Sequence, residues 1–259
     1  MIVSAIQSRL FWEDKAANLG MFMNKINAIS GSHIIVLPEM FSTGFSMKPG
    51  ELAETMDGPT IQWMKDTAAE KRVILTGSLI IEENGKYYNR MIWMLPDGTM
   101  GHYDKRHLFA YAGEDKQYEP GKRRCIASVN GWKINLVICY DLRFPVWLRQ
   151  SATEHGDPEY DVLIVVANWP AKRTQAWKTL LQARAIENQC YVVGVNRVGD
   201  DGHGIAHSGD SMIIGPMGEV LQHETDTEIV LTEKLDKELL YETREKLPFL
   251  RDRDRFTIY

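Results

Sequence analysis

Apolar positions along the chain follow two rhythms, and their alternation sets the expected fold. Ile2–Gln7 is a short apolar run that reads as a strand. Leu19, Phe22, Ile26 and Ile29 then recur at helical spacing behind Asp14, which predicts an amphipathic helix with Asp14 as its N-cap. His33–Glu39 (HIIVLPE) is a buried strand that stops at Pro38, and Gly58–Lys71 predicts a helix with Ile61, Met64 and Ala68 on one face. Residues 72–105 form a hairpin and meander turning at Asn84-Gly85 and Pro96-Asp97-Gly98, whereas 104–122 have no regular rhythm. A second hairpin over 124–139 turns at Asn130-Gly131. Phe144–His155 predicts a helix, and Asp161–Asn168 is almost wholly apolar, the pattern of a strand buried on both faces. Thr174–Gln189 is helical, with Trp177, Leu181, Arg184 and Asn188 in one stripe and Leu180 beside it. Cys190–Val198, 211–222 and 228–235 are strands, and Asp236–Lys246 is a last helix. Strands with helices before and after them, together with hairpins, predict two facing mixed sheets covered by helices in one α/β domain over residues 1–259. Catalytic and binding groups in such folds sit just past strand ends.

Composition narrows the function. The 259 residues are 44% hydrophobic and 25% charged, enough apolar surface for a core that needs no disulfides. A net charge of −5 argues against nucleic-acid or anionic-membrane binding, which calls for basic patches. No apolar run has membrane-span length, and the start MIVSAIQSRLFWEDK lacks the basic then apolar pattern of a signal peptide. Cys125, Cys139 and Cys190 form no CxxC pair and cannot all pair with one another, which fits a reducing, cytoplasmic setting. Cys125, read as mid-strand, and Cys190, opening a buried strand, are expected in the core.

Three reactive side chains each follow a predicted strand: Glu39 after HIIVLP, Lys105 after the meander and Cys139 after KINLVI. Singly, each has a structural explanation: a loop charge, a surface charge, a core thiol. Together they form a chemical set. A thiol is a strong nucleophile that is mostly protonated at neutral pH, a carboxylate beside it can take the proton, and an ammonium can hold the charge developing on an attacked carbonyl oxygen.

LPEMFSTGF around Glu39, YDKRHLF around Lys105 and ICYDLRFP around Cys139 resemble, in order and spacing, the triad motifs of the nitrilase superfamily of carbon–nitrogen hydrolases. The resemblance covers essentially the whole chain, continuing through GEDKQYEPG, VVANWP, LLQARAIENQCYVVGVNRVG and GDSMIIGPMGEV, and is strongest to the omega-amidase branch with its bacterial 2-oxoglutaramate amidases. It implies a four-layer αββα sandwich and a homodimer, with the apolar tail over about 247–259 contacting the partner subunit. It implies Glu39 as general base, Lys105 as oxyanion-holding amine and Cys139 as nucleophile. The Tyr140 N–H would be the second oxyanion donor, and Glu114, in AGED, would position substrate and Lys105. No cofactor or metal is implied. Cys-Tyr-Asp at 139–141, where true nitrilases have Cys-Trp-Glu, points to amide rather than nitrile substrates.

The expected reaction is therefore hydrolysis of the terminal amide of a small 2-oxo dicarboxylic acid monoamide, such as 2-oxoglutaramate or 2-oxosuccinamate, through a cysteine thioester. The alternative is another carbon–nitrogen hydrolase, an N-carbamoyl amidohydrolase or an aliphatic nitrilase or amidase. A carboxylate at the far end of the substrate calls for a cation. Arg173 is the candidate and Arg143 its rival, although Arg143 within YDLRFP is expected, with Asp141, to brace the nucleophile turn. Trp169 and Phe41 are expected to wall the pocket. His203 and His207 have the spacing of a helical metal pair, but their flanking glycines argue for a loop. GDDGHG lacks the spacing of a phosphate loop.

Overall fold

The computed structural model describes residues 1–151, 157–254 and 256–258. The chain opens with β1 (Ile2–Gln7), α1 (Lys15–Asn27), β2 (Ile34–Val36), the single turn α2 (Pro49–Leu52) and α3 (Pro59–Lys71). Next come β3 (Ile74–Glu83), β4 (Lys86–Met94), β5 (Met100–Asp104), β6 (Cys125–Val129), β7 (Trp132–Ile138) and the short α4 (Pro145–Leu148). The second half holds β8 (Val162–Ala167), α5 (Thr174–Asn188), β9 (Tyr191–Asn196), β10 (Val198–Asp200), β11 (Ala206–Ile214), β12 (Val220–Thr225), β13 (Ile229–Lys234) and α6 (Lys237–Lys246).

Among the described residues the strands form two mixed sheets. One is six-stranded in the order β13-β1-β2-β3-β4-β5, parallel at β1–β2 and β2–β3. The other is seven-stranded, β10-β11-β9-β8-β7-β6 with β12 on β11, and parallel at β7–β8–β9. Side-chain alternation sets the layers. Ile34 and Val36 on β2 join the core between the sheets, while Ile35 and Leu37 pack outward with Phe22 and Ile26 of α1 and Ile61, Met64 and Ala68 of α3. α5 covers the second sheet with Trp177, Leu181 and Ala185. The result is the expected αββα arrangement of two mixed sheets flanked by helices.

The helix starts follow their sequence signals. Asp14 accepts from the Ala17 N–H at 3.0 Å, Pro59 opens α3, and Asp236 accepts from the N–H groups of Glu238 and Leu239. The helix expected over Phe144–His155 is a single turn, Pro145–Leu148. Phe144 precedes a proline, which keeps it out of the helical region (φ −111°, ψ 86°), and Arg149 turns extended at ψ 132°. Gln150 then bonds Asn188 of α5 through its N–H and its side chain. Residues 152–155 of that expected helix lie outside the described residues. β11 begins at Ala206, earlier than the apolar run suggests, so His207 is a strand residue and His203 lies in the connection before it. Cys125 opens β6 and is only half-buried, because β6 is an edge strand; Cys190 is fully buried ahead of β9.

Candidate active site

Glu39, Lys105, Glu114 and Cys139 converge where strands of both sheets end. β2 delivers Glu39. Its register continues one residue further through Leu37 N–H to Thr76 O, and the chain then breaks at Met40 (φ 44°), whose N–H is held by Ser78 Oγ. Lys105 follows β5, with its N–H on Asn89 O. Glu114 opens a 3-10 turn, Glu114–Lys116. Cys139 follows β7 at φ 44°, a left-handed conformation uncommon outside glycine, and opens the 3-10 turn Cys139–Arg143.

Lys105 ties the two carboxylates together. Its Nζ lies 2.8 Å from Glu39 Oε1 and 3.0 and 2.9 Å from the two oxygens of Glu114. Asn89 Nδ2 donates to Glu39 Oε1 at 2.8 Å and to Glu114 Oε1 at 3.1 Å. The Asn168 N–H serves Glu39 Oε2 at 2.8 Å, and the Phe109 N–H serves Glu114 Oε2 at 2.6 Å. Glu39, Glu114 and Lys105 are buried almost completely, so each charge persists only because several donors or acceptors surround it. Burial alone would lower the Lys105 pKa, but Glu114 and Glu39 outweigh it and hold the ammonium firmly charged. Burial raises the Glu114 pKa against the pull of Lys105.

The Cys139 thiol is held well above its ordinary range, by burial first and by the Glu39 charge second, with Lys105 pulling the other way. It is thus protonated at rest, beside a carboxylate. Asp141 fixes the turn that carries it. One carboxylate oxygen accepts from Ile138 N–H and Tyr103 OH, the other from the His107 N–H and Nδ1, and Arg184 Nη2 donates to Leu142 O. Asp141 braces the turn as expected, but Arg143 does not. Its guanidinium faces the cavity, 4.6 Å from the ring centre of Trp169.

A cavity of about 510 Å³ opens over Cys139 and Lys105. Trp169, Tyr140 and Arg173, all expected there, line it. Arg173 lies over Phe109 at 5.2 Å. Among the described residues neither Arg143 nor Arg173 has a carboxylate partner. Phe41 does not reach the cavity. It is fully buried in the outer core, edge-on to Phe22 at 5.6 Å and 5.9 Å from Trp63. The backbone reverses at Met40 and Gly44 (φ 76°), so Phe45 takes that wall, 5.1 Å from Lys105 Nζ. The sequence reading gives no role to Asn89, Asn168 or Phe109, and it weighs His203, His207 and the GDDGHG stretch only as metal or phosphate sites, whereas Asp201 and Gly204–His207 form a rim of the cavity. Asn89, a buried amide in an otherwise apolar strand face, carried the clearest signal.

A buried thiol, carboxylate, ammonium and second carboxylate on two facing sheets define a particular chemistry, and comparison with known proteins gives it a family. The sequence profile of carbon–nitrogen hydrolases matches residues 2–245. The chain belongs to the carbon–nitrogen hydrolase family. This hydrolase is 40% identical over 261 residues to the omega-amidase YafV of Escherichia coli strain K12, covering 99% of this chain and 98% of that protein. It is 35% identical over 222 residues to the 2-oxoglutaramate amidase of Bacillus subtilis strain 168, covering 85% of this chain and 84% of the relative. Its fold superposes with a TM-score of 0.98, at 39% identity, on a carbon–nitrogen hydrolase superfamily protein from Xanthomonas campestris whose crystal structure carries an arsenic adduct in the active site. That match covers 100% of this chain and 99% of the other.

Proposed function

We propose that this hydrolase is an omega-amidase, releasing ammonia from the terminal amide of short 2-oxo dicarboxylic acid monoamides such as 2-oxoglutaramate. The observation that carries the reading is a buried thiol beside the Glu39–Lys105–Glu114 cluster, at a cavity lined by two arginines that have no carboxylate partner among the described residues. The names of the relatives point to the same substrate class.

In this mechanism Glu39 takes the Cys139 proton as sulfur attacks the amide carbon, so no free thiolate adds charge to the cluster at rest. The oxyanion forms toward Lys105 and the Tyr140 N–H. Lys105 contacts both Glu114 oxygens, so it can exchange one of those contacts for the oxyanion without losing its partner. The tetrahedral adduct collapses, the carbon–nitrogen bond breaks, and Glu39 returns the proton to the departing nitrogen. Glu39 then takes a proton from water, which attacks the thioester. The carbon–sulfur bond breaks, the acid leaves, and Glu39 reprotonates the thiol. Arg173, with Arg143 across Trp169, receives the distal carboxylate.

The enzyme is further read as a homodimer. Leu247 and Phe249, 38% and 54% exposed, present apolar surface in the tail that a second subunit would cover. Three free thiols fit a reducing, cytoplasmic setting, and among the described residues no helix is long and apolar enough to cross a membrane. The test is ammonia release from 2-oxoglutaramate beside glutamine, a simple nitrile and an N-carbamoyl amino acid, with Cys139→Ala as control. Turnover of the oxo-acid amide that falls by about 10³-fold or more in Cys139→Ala is expected. Preference for the nitrile or the carbamoyl compound, or substantial activity without the thiol, would refute the reading.

A further inference from the structure

Asp210 is a buried carboxylate outside the site, held in a conformation that costs energy. It lies on β11 at φ 53°, where the pairing with β12 slips between Gly209 and Ser211, a bulge. The bulge is fixed from below. A Cβ at Gly209 would lie 2.2 Å from the Gln7 side chain, and Gln7 Oε1 accepts from the Ser211 N–H at 2.9 Å. The Asp210 carboxylate is saturated. Oδ2 accepts from Thr174 Oγ1 at 2.5 Å and Ser208 Oγ at 2.6 Å; Oδ1 accepts from Thr225 Oγ1 at 2.8 Å and lies 2.9 Å from His223 Nε2 and 3.5 Å from Lys178 Nζ.

These contacts converge on one wall of the cavity. Thr174 opens α5 directly after Arg173. Trp169 Nε1 donates to Arg173 O at 2.8 Å, and Trp177 Nε1 donates to Asp210 O at 2.7 Å with its ring 5.5 Å from that of Trp169. Asn196 closes the loop, accepting from the Trp169 N–H at 2.7 Å and donating to Gly209 O at 2.8 Å. The start of α5 has no side-chain cap of its own. A strained, desolvated carboxylate is therefore spent on holding the two-residue step that presents Arg173 and on the tryptophan beneath it.

We infer that Asp210 is a positioning residue that fixes Arg173 and Trp169 for recognition of the substrate carboxylate. This rests on the reading that Arg173 receives that carboxylate. Two variants probe the link. Asp210→Asn keeps a side chain that tolerates positive φ but removes the charge. Thr174→Val removes only the hydroxyl joining α5 to Asp210. Each is measured for kcat and KM with 2-oxoglutaramate, alone and combined with Arg173→Ala, with thermal unfolding to confirm the fold. KM is expected to rise about tenfold in Asp210→Asn, the size of one lost hydrogen bond to a charged group, and severalfold in Thr174→Val, with kcat within about twofold. In the Arg173→Ala background both effects are expected to vanish. Effects that persist undiminished there, or that fall on kcat alone, overturn the positioning role. Arg173→Ala raising KM while neither second variant does so overturns the role but spares the carboxylate reading. An unchanged KM in Arg173→Ala sinks both.

Discussion

Replacing Asn89 with leucine tests whether its amide orients the buried carboxylates or only fills space beside them. Asn89 is wholly buried, and its amide nitrogen is shared between Glu39 Oε1 at 2.8 Å and Glu114 Oε1 at 3.1 Å. Leucine has similar volume and donates nothing. Hydrogen bonds to charged groups are worth about 1.5–3 kcal/mol each; with the second of these long, about 3 kcal/mol for the pair is a fair sum. Two readouts follow. Asn89 Nδ2 and Lys105 Nζ both donate to Glu39 Oε1, so loss of the amide leaves that oxygen with one donor fewer and lowers kcat/KM. At about 1.4 kcal/mol per tenfold, the shorter bond alone is worth about tenfold. In unfolding, about 3 kcal/mol lowers Tm by about 6–12 °C for a chain of this length. The assay is kcat/KM with the preferred amide, run beside differential scanning calorimetry. A kcat/KM that stays in place while Tm falls would show that Asn89 is packing alone and would refute the orienting argument.

Two further predictions use residues that the structure separates. Phe41→Ala should destabilise the fold by about 3–5 kcal/mol while leaving the KM of the surviving enzyme unchanged, and Phe45→Ala should do the reverse; equal effects on KM would contradict the assignment of Phe45 to the cavity. His207 is buried neutral, its pKa lowered from 6.5 to about 4 by desolvation first and Arg197 second. The unfolded chain therefore takes up this proton first as pH falls, and about 3 kcal/mol of stability is lost between pH 6.5 and 4. His207→Leu should flatten that part of the stability curve, measured by urea unfolding at stepped pH; identical slopes would exclude the histidine as the cause.

The reactive residues legible in sequence share one property: each stands just past a predicted strand. Glu39, Lys105 and Cys139 could be singled out because the pattern changes where they stand, and Asp14 and Asp236 because cap chemistry is local. What stayed hidden depends on direction or on distant partners. Phe41 and Phe45 are equivalent in composition, and only the positive-φ reversal between them decides which one meets the cavity. Arg143 is expected from the sequence to brace its own turn, but Asp141 and the remote Arg184 meet that need and leave Arg143 facing the cavity. The helix expected over Phe144–His155 ends after one turn because the backbone beyond it finds partners on Asn188, 38 residues away.

The pairing of β1 with β13 has a consequence for how the molecule is made. Residues 2–7 lie beside residues 229–234, and the Met1 amino group reaches Leu235 O at 3.0 Å. The edge of β1 must wait for residues 229–234, which follow it by more than two hundred positions, before it is covered. Glu39 and Asn168, bonded to each other across 129 positions, likewise come from different stages of synthesis. Such distant pairings form slowly, and the uncovered edge of β1 is an invitation to aggregation during the delay. A nascent chain halted before residue 229 should therefore depend on chaperones more strongly than one from which residues 229–234 have emerged.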